Sequence, residues 1–156
     1  MSEINNSFSF HGEESALKRL HETIKKKHIE KNNLEIFNER FETKNDLVIA
    51  FDSFNSVTEF VTKFKKIALK EKIDFYCVIT VGWYFDGDYY VYTYSHKDDS
   101  LGLYELTPDM KNKVTIQDEY TYVFNGKAYD DSYVPGELFH DMMKFFHGEK
   151  IFQFPK

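Results

Sequence analysis

Residues 73–96 read IDFYCVITVGWYFDGDYYVYTYSH, two β-rich arms on either side of Asp86-Gly87. Asp-Gly between such arms is the pair favoured in a two-residue type I′ turn, because both central positions need positive φ. A turn there predicts that Val81 faces Tyr92 and Ile79 faces Tyr94. Side chains alternate along a strand, so Cys77, Ile79, Val81, Trp83, Tyr90, Tyr92 and Tyr94 share one face. Tyr76, Val78, Thr80, Gly82, Tyr84, Tyr89, Val91 and Thr93 share the other. The first face is apolar and reads as core. The second is half polar, and Tyr84, Tyr89, Thr80 and Thr93 are expected on an open surface.

Upstream, Ile4 to Phe10 alternates in the manner of a half-buried strand, and Leu17, Leu20 and Ile24 fall on one helical face after Glu13-Glu14. Leu34 to Phe41 and Asp46 to Phe54 predict a hairpin. Ser56 with Glu59 three residues on predicts a capping box for a second helix, whose buried stripe is Phe60, Phe64, Ile67 and Ala68. Its lysine-rich remainder reads as a solvated face. After the central hairpin come three β-leaning runs, Leu101 to Leu106, Val114 to Ile116 and Glu119 to Phe124. Asn125-Gly126 marks another tight turn, with Lys127 to Tyr129 pairing back. Pro135-Gly136-Glu137 opens a helix over 136–147 with Leu138, Met142, Phe145 and Phe146 on its apolar side, Gly148 stops it, and Lys150 to Phe154 closes as a strand.

The element order up to the first arm of the hairpin is β-α-β-β-α-β, the split βαβ arrangement of ferredoxin-like plaits. The expected fold is therefore α+β, with an extended antiparallel sheet and a C-terminal helix. Residues 1–156 are expected to form one domain, in which 1–85 supply the plait core and 86–156 a β-rich acidic extension. In element order the first half resembles the RNA recognition motif, the Leu47 to Phe51 strand taking the place of that family's third strand. The family's consensus there opens with a basic residue and a glycine before alternating aromatics. This chain has Val48, Ala50 and Phe51 without the glycine, so the resemblance carries over no binding residue.

The net charge of -6 is unevenly spread. Residues 1–79 balance, residues 80–140 carry -7 and residues 141–156 carry +1, and all 11 tyrosines lie between Tyr76 and Tyr133. Tyrosine offers large contact area at low entropy cost and carboxylates steer basic partners, so this half suits protein contact. The same acidity argues against a direct nucleic-acid ligand. One cysteine, Cys77, inside a predicted strand, allows no internal disulfide. Residues 1–14 lack a basic start followed by an apolar run, and no stretch nears the length of a membrane-spanning helix, so a cytoplasmic protein is expected.

No Gly-rich phosphate loop, nucleophile elbow, helical His-Glu metal pair or Cys/His zinc spacing occurs. His11, His21 and His28 lack a partner carboxylate at ligand spacing, so neither metal nor cofactor is expected. Two classes of function follow. The first is a non-enzymatic interaction module, an acidic inhibitor or immunity-type protein of bacterial or phage kind, occupying a basic surface of a nucleic-acid-handling partner. Its expected contacts are Tyr84, Asp86, Asp88 and Tyr89 at the hairpin tip, with Asp98, Asp99, Asp130 and Asp131. The second is an enzyme or a small-ligand or metal-binding protein with a site in the loops around His96 and Asp130, where a histidine within reach of a carboxylate in a cleft is the sign to look for. Unprotected edge strands leave room for pairing with a second copy.

Overall fold

The computed structural model describes residues 3–82, 87–130 and 136–153. It is a mixed α+β structure with a large antiparallel sheet and several helices. The sheet has six strands: β1 (Ile4–His11), β2 (Ile36–Thr43), β3 (Asp46–Ser53), β4 (Asp74–Val81), β5 (Asp88–Ser95) and β6 (Ser100–Glu105). Their spatial order is β2-β3-β1-β4-β5-β6, all neighbours antiparallel, with β2 and β6 at the edges.

Two helices, α1 (Glu14–Ile24) and α2 (Glu59–Glu71), follow β1 and β3, and their buried stripes share one core with that side of the sheet. α1 runs on into a π-helical turn at Lys25–Glu30. The alternation of β1 places Phe8 and Phe10 in this core, where both are fully buried. Rings of Phe51, Phe64 and Phe75 surround Phe8 at centroid distances of 6.2, 4.8 and 5.7 Å. Alternation also carries Asn6 inward. Its amide nitrogen donates to Ser53 Oγ at 2.9 Å and to the carbonyls of Ile4 and Phe51 at 3.3 Å, so most of this buried amide is satisfied where the sheet ends.

The central hairpin differs from the expected register. Phe75 pairs with Tyr94, Cys77 with Tyr92, Ile79 with Tyr90 and Val81 with Asp88, whereas a two-residue turn at Asp86-Gly87 would set Val81 against Tyr92; Asp86 itself lies outside the described residues. Gly82 has φ of 88°, which ends β4 before Trp83. The slip is by four residues. Because it is even, the side chains of β4 and β5 keep their faces, and Cys77, Ile79, Tyr92 and Tyr94 are core as expected.

The half-polar face is not open throughout. A short helix α3 (Pro108–Lys111), capped by Thr107 Oγ1, leads to a second sheet of β7 (Thr115–Asp118), β8 (Thr121–Phe124) and β9 (Lys127–Asp130). Asn125 and Gly126 both have positive φ in the β8–β9 turn, as the Asn-Gly signal requires. These strands form their own sheet and do not extend the first. With α4 (Gly136–His147) they supply a second core, in which Tyr89 and Val91 of β5 meet Phe124, Tyr129, Leu138, Phe139 and Met142. Tyr89, expected on the surface, is 3% exposed for this reason. Within α4 the buried residues are Leu138, Phe139, Met142 and Met143, while Phe145 is exposed. Gly148 ends it, its N–H donating to the Lys144 carbonyl at 2.8 Å. Glu149–Phe152, which covers most of the expected final strand, is a 3-10 turn, and Phe154 lies outside the described residues. The Ser56 capping box does not form either: α2 begins at Glu59, and Ser56 Oγ accepts from the Thr58 N–H.

Candidate functional site

The odd residues of β1 and the even residues of β4 point away from α1 and α2, and α4 covers only the β5 side of that surface. A groove of about 680 Å³ remains between them. Its floor is Asn5, Ser7 and Ser9 of β1 with Tyr76, Val78 and Thr80 of β4, and its wall is Gly136, Glu137 and His140 of α4 beside Tyr89. The small side chains of Ser7 and Ser9 leave the floor low; larger residues there would fill the hollow. Asp52 and Glu3 close one end, and no lysine or arginine lines the groove among the described residues.

The acidic end is chemically specific. Burial, then a hydrogen bond and like charge from Asp52, hold the Glu3 carboxyl above the usual range. Asn5 Nδ2 donates to Asp52 Oδ1 at 3.2 Å. On the wall, Glu137 Oε1 accepts from Lys127 Nζ at 3.1 Å. The His140 ring lies 4.1 Å from that of Phe152, and Tyr76 meets the same phenylalanine edge-on at 6.1 Å. Tyr89 Oη is 3.4 Å from His140 Nδ1. Burial pushes the His140 pKa down, and the Lys144 charge adds to the shift. The groove therefore combines carboxylates, hydroxyls and aromatic faces.

The expected contact residues are not gathered in one place. Asp88 is exposed at the start of β5, whereas Asp98 and Asp99 are exposed in the turn after its end, roughly 20 Å away for an eight-residue strand. Asp130 is exposed at the end of β9 in the second sheet. Tyr84, Asp86 and Asp131 lie outside the described residues. Asp99 is already engaged: it accepts from Tyr94 Oη at 2.9 Å and lies 3.8 Å from Lys65 Nζ.

His96 is held by a carboxylate, but not by its neighbours Asp98 and Asp99. Asp74 Oδ1 accepts from the His96 backbone N–H at 2.9 Å and from Nδ1 at 2.8 Å. Two strands away His11 Nδ1 is 2.8 Å from Asp46 Oδ1. Burial alone would raise the Asp46 carboxyl, and hydrogen bonds from Thr43 and His11 bring it below the usual range. His11 and His96 face a cleft of about 630 Å³ between the start of α1 and the end of α2. No group of three or more His, Cys, Asp or Glu side chains is placed to hold a metal ion among the described residues. Compared with known proteins, the chain matches no family model, no curated sequence and no solved structure.

Sequence reasoning missed the sheet-face groove and the Asp74 partner of His96. The groove depends on α4 crossing β5 and stopping short of β1, which no local pattern encodes. The His96–Asp74 pair joins residues 22 positions apart; its one local signal is that both flank the central hairpin, where cross-strand partners meet.

Proposed function

We propose that the protein is a non-enzymatic interaction module whose sheet-face groove receives a basic segment of a protein partner, in the manner of a small acidic inhibitor or immunity-type protein. The observation that carries this reading is the groove's charge: Glu3, Asp52 and Glu137 line it without a lysine or arginine among the described residues. An inserted lysine or arginine meets carboxylates at one end and the ring of Tyr76 on the floor, where cation–π attraction adds to charge pairing. Partners that handle nucleic acid carry suitable basic surfaces. The exposed Asp88, Asp98, Asp99 and Asp130 lie outside the groove and act at longer range, steering the partner toward this half of the molecule.

The same reading places the first half of the chain among ferredoxin-like plaits. Its support is the spatial order β2-β3-β1-β4, in which β3 separates β1 from β2 and a helix follows each of β1 and β3. A reducing, cytoplasmic setting suits the single buried thiol of Cys77. The test is binding of an arginine-rich peptide to the intact protein, compared with Asp52→Lys and Glu137→Lys. Each variant is expected to weaken binding by about tenfold, roughly 1.4 kcal/mol, and to flatten its salt dependence. Unchanged affinity in both variants would remove the groove from the account.

A further inference from the structure

At the far end of β1 from Glu3, two nearly buried carboxylates each hold a nitrogen-rich side chain against one cleft. Asp74 is 7% exposed and fixes His96 through two hydrogen bonds to the same oxygen. The Glu71 side chain is 12% exposed and accepts from Arg19 Nε at 2.6 Å, while the Arg19 side chain itself is 61% exposed. An arginine on a helix surface ordinarily samples many rotamers. Here its Nε is anchored, and among the described residues no further partner bonds the two terminal nitrogens. Lys70 and Lys72 line the same cleft and make no ion pair among the described residues. Glu71 and Asp74 are committed to Arg19 and His96, so Glu13 is the one lining carboxylate set against the two lysines.

We propose that this cleft is a binding site for a phosphate group. A guanidinium presents two parallel N–H bonds that match two oxygens of a phosphate, and anchoring Nε removes much of the entropy lost on engagement. With Nδ1 given to Asp74, the His96 ring is left to meet a third ligand oxygen through Nε2. Lys70 and Lys72 supply the remaining positive field. A carboxylate ligand has only two oxygens and would occupy the arginine alone, so donors from three elements favour the larger tetrahedral anion. The two buried carboxylates act as positioning groups, and neither meets the ligand. The site is separate from the sheet-face groove, and its ligand has the opposite charge.

The phosphate has two possible sources, a free inorganic ion or a nucleotide, and one experiment separates them. Isotope-labelled intact protein is titrated with inorganic pyrophosphate, with ADP and with adenosine, at constant ionic strength, while backbone amide and imidazole signals are followed. Saturable shifts at Gly12, Arg19, Lys72 and His96 with pyrophosphate are expected, and Arg19→Gln should weaken binding by about tenfold or more. Equal affinity for ADP and pyrophosphate assigns a site that reads phosphate alone; tighter ADP with no adenosine binding assigns a nucleotide. Arg19 is exposed, so its replacement leaves the core intact, and Lys72→Gln gives a second variant with a smaller expected loss. Absence of saturable shifts at these signals, or affinity unchanged in both variants, overturns the proposal.

Discussion

Phe8 and Ser7 are neighbours in β1 on opposite faces of the sheet, and replacing each with alanine tests the whole layer arrangement. Phe8 is fully buried, with the rings of Phe10, Phe51, Phe64 and Phe75 at 4.8 to 6.2 Å. Phe→Ala in a core costs about 3 to 5 kcal/mol through lost transfer energy and the cavity left behind. Four aromatic neighbours, each contributing about 0.5 to 1.5 kcal/mol beyond area, place Phe8→Ala at the upper end. A domain's total stability is about 5 to 15 kcal/mol, so this single change removes a third or more of it. At about 2 to 4 °C per kcal/mol for this chain length, the melting temperature should fall by at least 8 °C or so. Ser7 lines the groove with no core contact, and Ser7→Ala should stay within about 0.5 kcal/mol. Urea unfolding followed by circular dichroism measures both, with the slope expected to be unchanged. Similar midpoints for the two variants would refute the assignment of the even residues of β1 to the core.

Burial lowers the His28 pKa, with Lys63, Lys27 and Lys31 adding to the shift, and burial likewise lowers that of His140. Each imidazole therefore binds its proton more readily when unfolded, so its contribution is complete above about pH 6.5 and declines as pH falls below that value. The urea midpoint should drop between about pH 7.5 and pH 5.5, and His28→Gln should reduce the drop. Asp74→Ala leaves the His96 backbone N–H and ring nitrogen without their acceptor and should cost about 2 to 4 kcal/mol, whereas Asp74→Asn keeps an acceptor and should cost about 1, by the same urea assay. Burial pushes the Cys77 thiol well up, so iodoacetamide should label it only in denaturant, as mass spectrometry will show. Reversing Asp98 and Asp99 to lysine should slow association of an arginine-rich peptide in stopped flow and leave its dissociation rate unchanged, because these residues steer from outside the groove.

The strands and helices were legible where burial follows a local period. β1, α1, β3 and β4 sit where alternation or helical spacing puts them, and the Asn125-Gly126 turn forms as its residues demand. The hairpin register was not, because Asp86-Gly87 is a strong turn signal while Gly82, whose φ of 88° ends β4, looks like an ordinary strand residue in sequence. The faces survived because the slip is even. The second sheet escaped because its short strands carry no sign of which sheet they join, and with it went the burial of Tyr89. The partner of His96 was not legible: Asp98 and Asp99 are adjacent in sequence, but the ladder brings Asp74 to the ring.

The most direct test of the groove reading is a chemical-shift titration of labelled protein with an arginine-rich peptide at low and high salt. The account predicts salt-sensitive, saturable shifts concentrated at Asn5, Ser7, Ser9, Thr80 and Glu137, and their loss in Asp52→Lys. Shifts centred instead on Asp98, Asp99 and Asp130, or no saturable shifts at low salt, would contradict it.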